Sequence, residues 1–448
     1  MKKVLMMTLV AVSALSLAGC KGSTTSTADA KANFKIGMVS VGDTSETYSK
    51  AHIEGLQNAL KANGLSAEKN LILKTKIGEE ASTVKTNLQE IVDAGAKVVI
   101  TNSYGHQDGA YQFAKDNKDV KVISMTGDYA AISGLDNFYN AFDNIYEARY
   151  VSGYIGGLKL ADMIAANKAS KGTNTSYPDD YEIGYVGAYN YAEVVSGYTA
   201  FYLGLKAGAG IDNIHMSVKY TNSWYDHDAE KEAAKALLNG GAIIVGQHAD
   251  STGAPEAVNE YLKNSEDASK GAHAAYSVGY NVDMTTAAPD AAIASSTNNW
   301  EKYYDYVIKQ ALAGKDLDKD WAKGYADEAV GVVGFGKNAP TDAANKAKAM
   351  AKKITDGDVR VFDTSKFTVS NLDGNYGVSV DADKHVSSYK VDFSYKDWSN
   401  GGKVIFQGET KEEVKTAGTV NYIQESVDRS APYFSIRIDG ITEIAAAK

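Results

Sequence analysis

The chain has 448 residues, a formal net charge of −10, one cysteine and only four arginines, Arg149, Arg360, Arg429 and Arg437. That length implies two or three domains, the acidity repels nucleic acid, and a lone cysteine excludes a disulfide within the chain. Guanidinium forks are the usual clamp for phosphate and carboxylate groups, so their scarcity weighs toward an uncharged ligand.

Residues 1–19 read as a leader: Lys2 and Lys3, an apolar run from Val4 to Leu17, then Leu17-Ala18-Gly19 before Cys20. The run is too short to span a bilayer, and the small residues before Cys20 suit a peptidase. Leu-Ala-Gly-Cys resembles a bacterial lipobox, which makes Cys20 the expected lipidated first residue of the mature chain. Residues 20–32 are small and polar and read as a flexible tether. No later stretch approaches eighteen consecutive apolar residues, so the expectation is a soluble body held to a membrane, on its extracytoplasmic side, by lipid alone.

From Phe34 to Val41 the pattern is a strand, and Ile53, Leu56 and Leu60 then mark the buried face of a helix. Leu71–Ile77 reads as a strand, Thr83–Ala94 as a helix and Ala96–Thr101 as a strand, a βαβαβ order. The same grammar restarts at Glu182-Ile183-Gly184-Tyr185-Val186-Gly187, and Gly95-Ala96 before one apolar run is echoed by Gly241-Ala242 before another. The interval from Gly37 to Gly95 is 58 residues and that from Gly184 to Gly241 is 57. Matched elements in register predict two similar α/β lobes over residues 33–355: one about 33–143 with return segments after about 290, the other about 144–290. From 356 to 448 apolar and polar residues alternate, as in Val359-Arg360-Val361-Phe362, Phe367–Val369, Tyr376–Val380, Tyr389–Phe393 and Tyr433–Gly440, which predicts a β-rich extension packed on one lobe.

In open parallel sheets ligands bind outside the carboxyl ends of the strands. The residues there are Asp43 and Tyr48 after the first strand, Ser103 and Tyr104 after the third, then Asn222, Trp224 and Asp226, His248 and Asp250, Asp283, and Trp300. Aromatic faces with carboxylates and amides suit a flat, polar, uncharged ring, and a purine and a pyranose fit equally. Asp43 and Asp226 also stand where helix caps stand, His248 could cap a helix as well as donate to a ring, and Trp224 or Trp300 could be core residues. No His, Cys or Asp cluster has metal-ligand spacing, and Asp43 alone follows the first strand, too few acids for a calcium-dependent nucleoside hydrolase. No cofactor is expected. A surface antigen or adhesin using the fold as scaffold stays open as an alternative.

Phe34-Lys35-Ile36-Gly37-Met38-Val39, Tyr48 with His52-Ile53-Glu54-Gly55-Leu56, Asn222-Ser223-Trp224, Gln247-His248 with Asp250-Ser251, Gly279 with Asp283-Met284, and Asn299-Trp300 with Tyr303 resemble, in order, the basic-membrane-protein family of substrate-binding lipoproteins, the purine nucleoside receptors. The resemblance implies two Rossmann-like lobes with a ligand cleft between them, the type I periplasmic binding protein fold, and ABC transporter permease subunits as partners. It implies no enzymatic activity. Tyr48 takes the family's base-stacking role and Asp283 that of an acid near the sugar. The first-loop acid pair of the family is here Thr44-Ser45, its second-lobe aromatic falls near Gly197, and a basic residue expected near Asn299 is not found there. Trp224 is then the expected second stacking face and a bare nucleobase an expected ligand.

Overall fold

The computed structural model describes residues 31–265, 274–397 and 401–444. The leader, Cys20 and nearly all of the tether lie outside them.

In the first lobe β1 (Ile36–Val39), β2 (Leu71–Lys74), β3 (Val98–Thr101), β4 (Lys121–Met125) and β5 (Phe138–Ala141) form a parallel sheet in the order β2-β1-β3-β4-β5. β1 and β3 are buried along their whole length because helices cover both faces. In the second lobe β6 (Tyr181–Gly187), β7 (Ile214–Tyr220), β8 (Ile244–Gln247), β9 (Tyr276–Tyr280) and β10 (Ala292–Asn298) repeat that order as β7-β6-β8-β9-β10. Each sheet therefore reverses its winding beside its first strand.

The repeated glycines have the same tasks in both lobes. A side chain at Gly37 would meet Ile91 Cγ2 at 2.0 Å and one at Gly184 would meet Leu237 Cβ at 3.0 Å, so each first strand lets the helix after the second strand of its lobe, Ala81–Asp93 or His227–Asn239, lie close. Gly95 (φ +102°) and Gly241 (φ +95°) both turn the chain from helix to strand through the left-handed region.

The chain returns to the first lobe as helix Trp300–Leu312, which packs on helix Thr47–Ala62, and as β11 (Asp320–Trp321), parallel to β5. It then rejoins the second sheet as β12 (Val330–Val333), antiparallel to β10. The expected lobe boundary near 290 is corrected accordingly: β10 and β12 pair with β9's sheet, and only residues 300–321 between them return. At one crossing the Phe142 amide donates to the Trp321 carbonyl (3.0 Å) and the Asn144 amide to that of Lys323 (2.7 Å), binding two linkers side by side.

Helices Ile145–Ala165 and Ala192–Ala209 lie almost backbone to backbone. A side chain at Gly153 would meet the Phe201 carbonyl at 2.1 Å, and one at Gly204 the Tyr150 carbonyl at 2.0 Å. This contact fixes the relative position of the residues at both helix starts.

The extension is strand-rich, with short strands such as Val386–Asp392, Tyr395–Asp397, Lys403–Phe406 and Val420–Ile423. Three expected strands differ: of Val359–Phe362 only Phe362 joins a ladder. Phe367–Val369 and Tyr433–Gly440 pair in no ladder; Phe367, Val369, Tyr433, Phe434, Ile436 and Ile438 are buried instead, all but Tyr433 in the second lobe's core. Ile441–Ile444 then adds to the second sheet, parallel to β7. Among the described residues no helix is long and apolar enough to cross a membrane.

Candidate ligand-binding site

Tyr48 stands in the first turn of helix Thr47–Ala62, where the Glu46 carboxylate caps the helix by accepting from the Tyr48 amide (2.5 Å) and the Ser49 amide (2.7 Å). The Tyr48 hydroxyl donates to the Asn102 carbonyl (2.5 Å). The Asn102 side chain joins the ends of β1 and β3 by donating to Ser40 Oγ (2.9 Å) and accepting from the Val41 amide (2.9 Å). The half-buried Tyr48 ring is thus held where the first sheet reverses its winding. Behind it His52 meets the Tyr48 ring edge-on at 4.6 Å and stacks on Trp300 at 4.4 Å. Burial pushes the His52 imidazole down to about 3, so it is neutral. Trp300 is 1 % exposed, one ring deeper than Tyr48, because it opens a helix that packs on its own lobe.

Across the cleft, Asp250 follows β8. Its amide donates to the Trp224 carbonyl (2.8 Å), its carboxylate accepts from Asn281 Nδ2 (2.7 Å), and the Thr47 hydroxyl of the opposite lobe donates to its backbone carbonyl. Burial, then the charges of Glu46 and Glu230, push the Asp250 carboxyl well above the usual range.

His248 sits in a buried hydrogen-bonded relay. Arg149 Nη1 donates to the Tyr185 hydroxyl (3.0 Å), which lies 3.3 Å from His248 Nδ1, and His248 Nε2 lies 2.5 Å from Glu193 Oε2. Burial lowers His248, and the imidazole and Arg149 overcome burial to hold Glu193 below its ordinary value. A neutral His248 donates from Nε2 to Glu193 and accepts from Tyr185 at Nδ1. Gly197 makes room for this ring: a Cβ there would lie 2.9 Å from two of its atoms. The position where a second-lobe aromatic was expected is therefore filled by histidine from a neighbouring strand end.

Arg149 had no place among the strand-end residues, yet it brings a guanidinium to this end of the sheet from helix Ile145–Ala165. Its Cζ lies 3.6 Å over the Tyr280 ring, and Nη1 also donates to the Gln247 carbonyl (2.5 Å). Nε and Nη2 are buried with no hydrogen-bond partner among the described residues. So are both Asp143 carboxyl oxygens, Gln247 Oε1, Asn281 Oδ1 and Asn298 Oδ1. Those five residues stand at or just past the ends of β5, β8, β9 and β10, or on the crossing helix. Buried polar groups are normally paired, and this set stands at the end of the sheets where an α/β fold takes its ligand.

Trp224 is half-buried and meets Tyr189 edge-on at 5.1 Å; Tyr189 stacks on Tyr191, whose ring approaches Tyr104 of the first lobe at 6.3 Å. Ser103 donates to Glu79 (2.5 Å), and the Tyr104 hydroxyl lies 3.4 Å from Asp128. Asn222 turns the chain at φ +56°, its amide donating to the Ala188 carbonyl. Three acids are held by partners on nearby loops rather than brought to this set. Asp43 pairs with Lys76 (2.7 Å), which holds it below its usual range, Asp226 caps helix His227–Asn239 through the Ala229 amide, and the exposed Asp283 accepts from Thr285. Two open depressions, of about 390 and 250 Å³, lie elsewhere on the second lobe, one lined by Tyr150, Lys206 and Arg360, the other by Glu182, Ser217 and Lys219.

Two repeated α/β lobes, joined by paired linkers and closed over enclosed donors and acceptors, define a solute-binding protein of the periplasmic type. A solute-binding protein from Conexibacter woesei has a similar fold (TM-score 0.54, 16 % identity, 73 % of this chain and 98 % of that one). The chain belongs to the Bmp family, the PnrA-like substrate-binding proteins of ABC transporters, whose sequence model matches residues 34–364. It is a binding protein and not an enzyme. It is 29 % identical over 340 residues to a purine-binding protein of Brucella abortus, covering 75 % of this chain and 85 % of that one. It is 24 % identical over 281 residues to a putative ABC transporter glucose-binding protein of Haloferax volcanii, 62 % of each chain.

Proposed function

We propose that this chain is a lipid-anchored receptor of an ABC importer, tethered outside the membrane through Cys20, which binds a purine nucleoside or nucleobase between its lobes. The reading divides it into leader 1–19, tether 20–32, two-lobed body 33–355 and extension 356–448. Its main support is the enclosed set of unpartnered groups at the strand ends, lying between the lobe of Tyr48 and the lobe of Trp224. Arg149 offers N–H donors to ring nitrogens or a carbonyl, while Asp250, Asn281 and Asn298 offer acceptors to ring N–H, exocyclic amino or ribose hydroxyl groups. Tyr48 and Trp224 supply aromatic faces, and Ser103, Tyr104, Asn222 and His248 lie on the surrounding loops. The Brucella relative's name supports a purine; the Haloferax relative's name, and the readiness of sugars to stack on aromatics, support a pyranose as second reading.

Mass spectrometry of small molecules released on denaturing the purified protein, followed by calorimetric titration with adenine, adenosine, guanosine and glucose, tests the class. Binding of a purine is expected; silence from every purine with binding of glucose overturns the reading. Cys20→Ser is expected to leave the protein in the soluble fraction, and its retention in salt-washed membranes would refute the anchor.

A further inference from the structure

We propose that the C-terminal extension, most of which lies beyond the 34–364 span matched by the family, is a strap that holds the two lobes in their closed arrangement. It is rooted in the second lobe. Phe362 stacks on Tyr146 at 5.4 Å and on Phe434 at 4.2 Å, Ser196 donates to the buried Glu425, and Ile441–Ile444 extends the second sheet beside β7. From that root the chain reaches across to the first lobe.

The antiparallel pair Tyr395–Asp397 and Lys403–Phe406 places two rings on the first lobe's outer cluster: Tyr395 lies 4.4 Å from Tyr129, and Phe406 lies 5.0 Å from Tyr129 and 5.1 Å from Tyr111. Further along, Arg429 Nη1 approaches Asp128 of the first lobe at 3.8 Å, and the Ser430 amide donates to Asp320 of β11 (3.0 Å). Asp128 also lies against Tyr104, whose ring faces Tyr191 of the other lobe, so the extension docks beside the rim of the cleft.

Lobes joined by linkers move as rigid bodies about those linkers. A segment fixed to one body and packed on the other must break or slide its second set of contacts whenever the lobes part. Contacts made in one state and lost in the other shift the population toward the first. The strap thus favours closure whatever the ligand is, and the inference does not rest on the purine reading.

The test measures the distance between spin labels on Lys61→Cys and Glu232→Cys, exposed positions on helices of opposite lobes, in a chain also carrying Cys20→Ser and dialysed free of small molecules. The parent is expected to show one dominant short distance. Tyr395→Ser with Phe406→Ser is expected to enrich a longer distance by about tenfold, the scale of losing aromatic packing worth about 1.4 kcal/mol. Unchanged distances in a double variant that keeps its helical circular dichroism would overturn the strap. Should that variant lose its fold, Arg429→Gln, which removes the ion pair to the first lobe together with bonds made inside the extension to the Ala431 and Pro432 carbonyls, decides: a smaller shift in the same direction supports the proposal, and none refutes it.

Discussion

Glu425 is a buried carboxyl, 1 % exposed, accepting from Ser196 Oγ, the Tyr433 amide (2.8 Å) and the Phe434 amide (2.5 Å). Burial outweighs those hydrogen bonds and raises it from 4.5 to about 7. Between these values the folded protein binds more protons at this site than the unfolded chain does. Its contribution to stability is therefore fully present below about pH 4.5, declines as pH rises, and is lost by about pH 7. At 1.36 kcal/mol per pH unit the ceiling is about 3 kcal/mol. Glu425→Gln keeps the shape and the acceptor for both amides while removing the proton, so it imitates the protonated form. The variant is expected to match the parent at pH 5 and to exceed it at pH 8 by about 1–3 kcal/mol, with the difference growing through the window and flat above it.

Thermal or urea unfolding of both proteins in parallel at half-unit steps from pH 5 to 8 measures this. Taking the difference cancels the opposite trend from His52, His106 and His248, which burial lowers and which favour stability as pH rises. A difference that does not change with pH, or a variant less stable than the parent at pH 8, would show that Glu425 is ionised in the fold. The assignment of a buried, protonated anchor for the extension would then fail.

Tyr48→Ala and Trp224→Ala are each expected to weaken ligand binding by about 1–3 kcal/mol, the scale of a base stacked on an aromatic ring; unchanged calorimetric affinity in both rules the sandwich out. Gly197→Ala places a methyl group 2.9 Å from His248 atoms that Glu193 and Tyr185 hold in place. It is expected to lower stability by about 1–3 kcal/mol, the usual cost of overpacking, and a melting temperature equal to the parent's would contradict the close contact. Purine 5′-monophosphates are expected to bind at least about tenfold more weakly than their nucleosides, from repulsion by the enclosed acids. Equal or tighter titration would reverse the ligand class.

The fold was legible because its signals are local and doubled. Gly37 and Gly184 recur because each first strand must accept a helix, and Gly95 and Gly241 because each turn needs positive φ. The strand-end rule led to Tyr48, Trp224, His248 and Asp250, since topology alone decides which loops face a cleft. It could not find Arg149 or Glu193, which ride on helices and reach the strand ends only through the close packing of Gly153 and Gly204. A signal was present all the same: one arginine within the otherwise uncharged run from Ala148 to Leu158 has to be buried, and a buried guanidinium needs partners. The rule also named acids that end on neighbouring loops. Asp43, Asp226 and Asp283 sit beside Ser45, Ala229 and Thr285, and an acid two or three residues before a helical or polar turn finds its nearest donors in its own backbone. Trp300 follows a strand end but opens a helix, and the helix face takes it into the first lobe. The tail's alternating residues were read as ladders because period two marks an extended chain, whether or not a neighbouring strand is within reach.

Closing the lobes has an electrostatic cost that bears on what the cleft holds. Glu46 arrives from the first lobe toward Asp250 of the second, where Glu230 is already buried and accepts from the Ser251 amide (3.1 Å). His52 is neutral and offsets none of that charge, and His248 is already engaged by Glu193. The one guanidinium, Arg149, is already balanced by Glu193 and spends Nη1 on Tyr185 and Gln247. Among the described residues at these strand ends and on the crossing helix, what remains unpaired is a surplus of acceptors with two N–H donors, Arg149 Nε and Nη2. A phosphate would add negative charge to a site that holds more carboxyls than cations, whereas a neutral ring rich in N–H groups gives Asp143, Gln247, Asn281 and Asn298 the donors they lack and offers its own lone pairs to the two free guanidinium positions. In the proposed receptor, ligand and closure are therefore coupled: hydrogen bonds to the ligand offset the repulsion that closing creates, and the affinity for purines depends on both lobes at once.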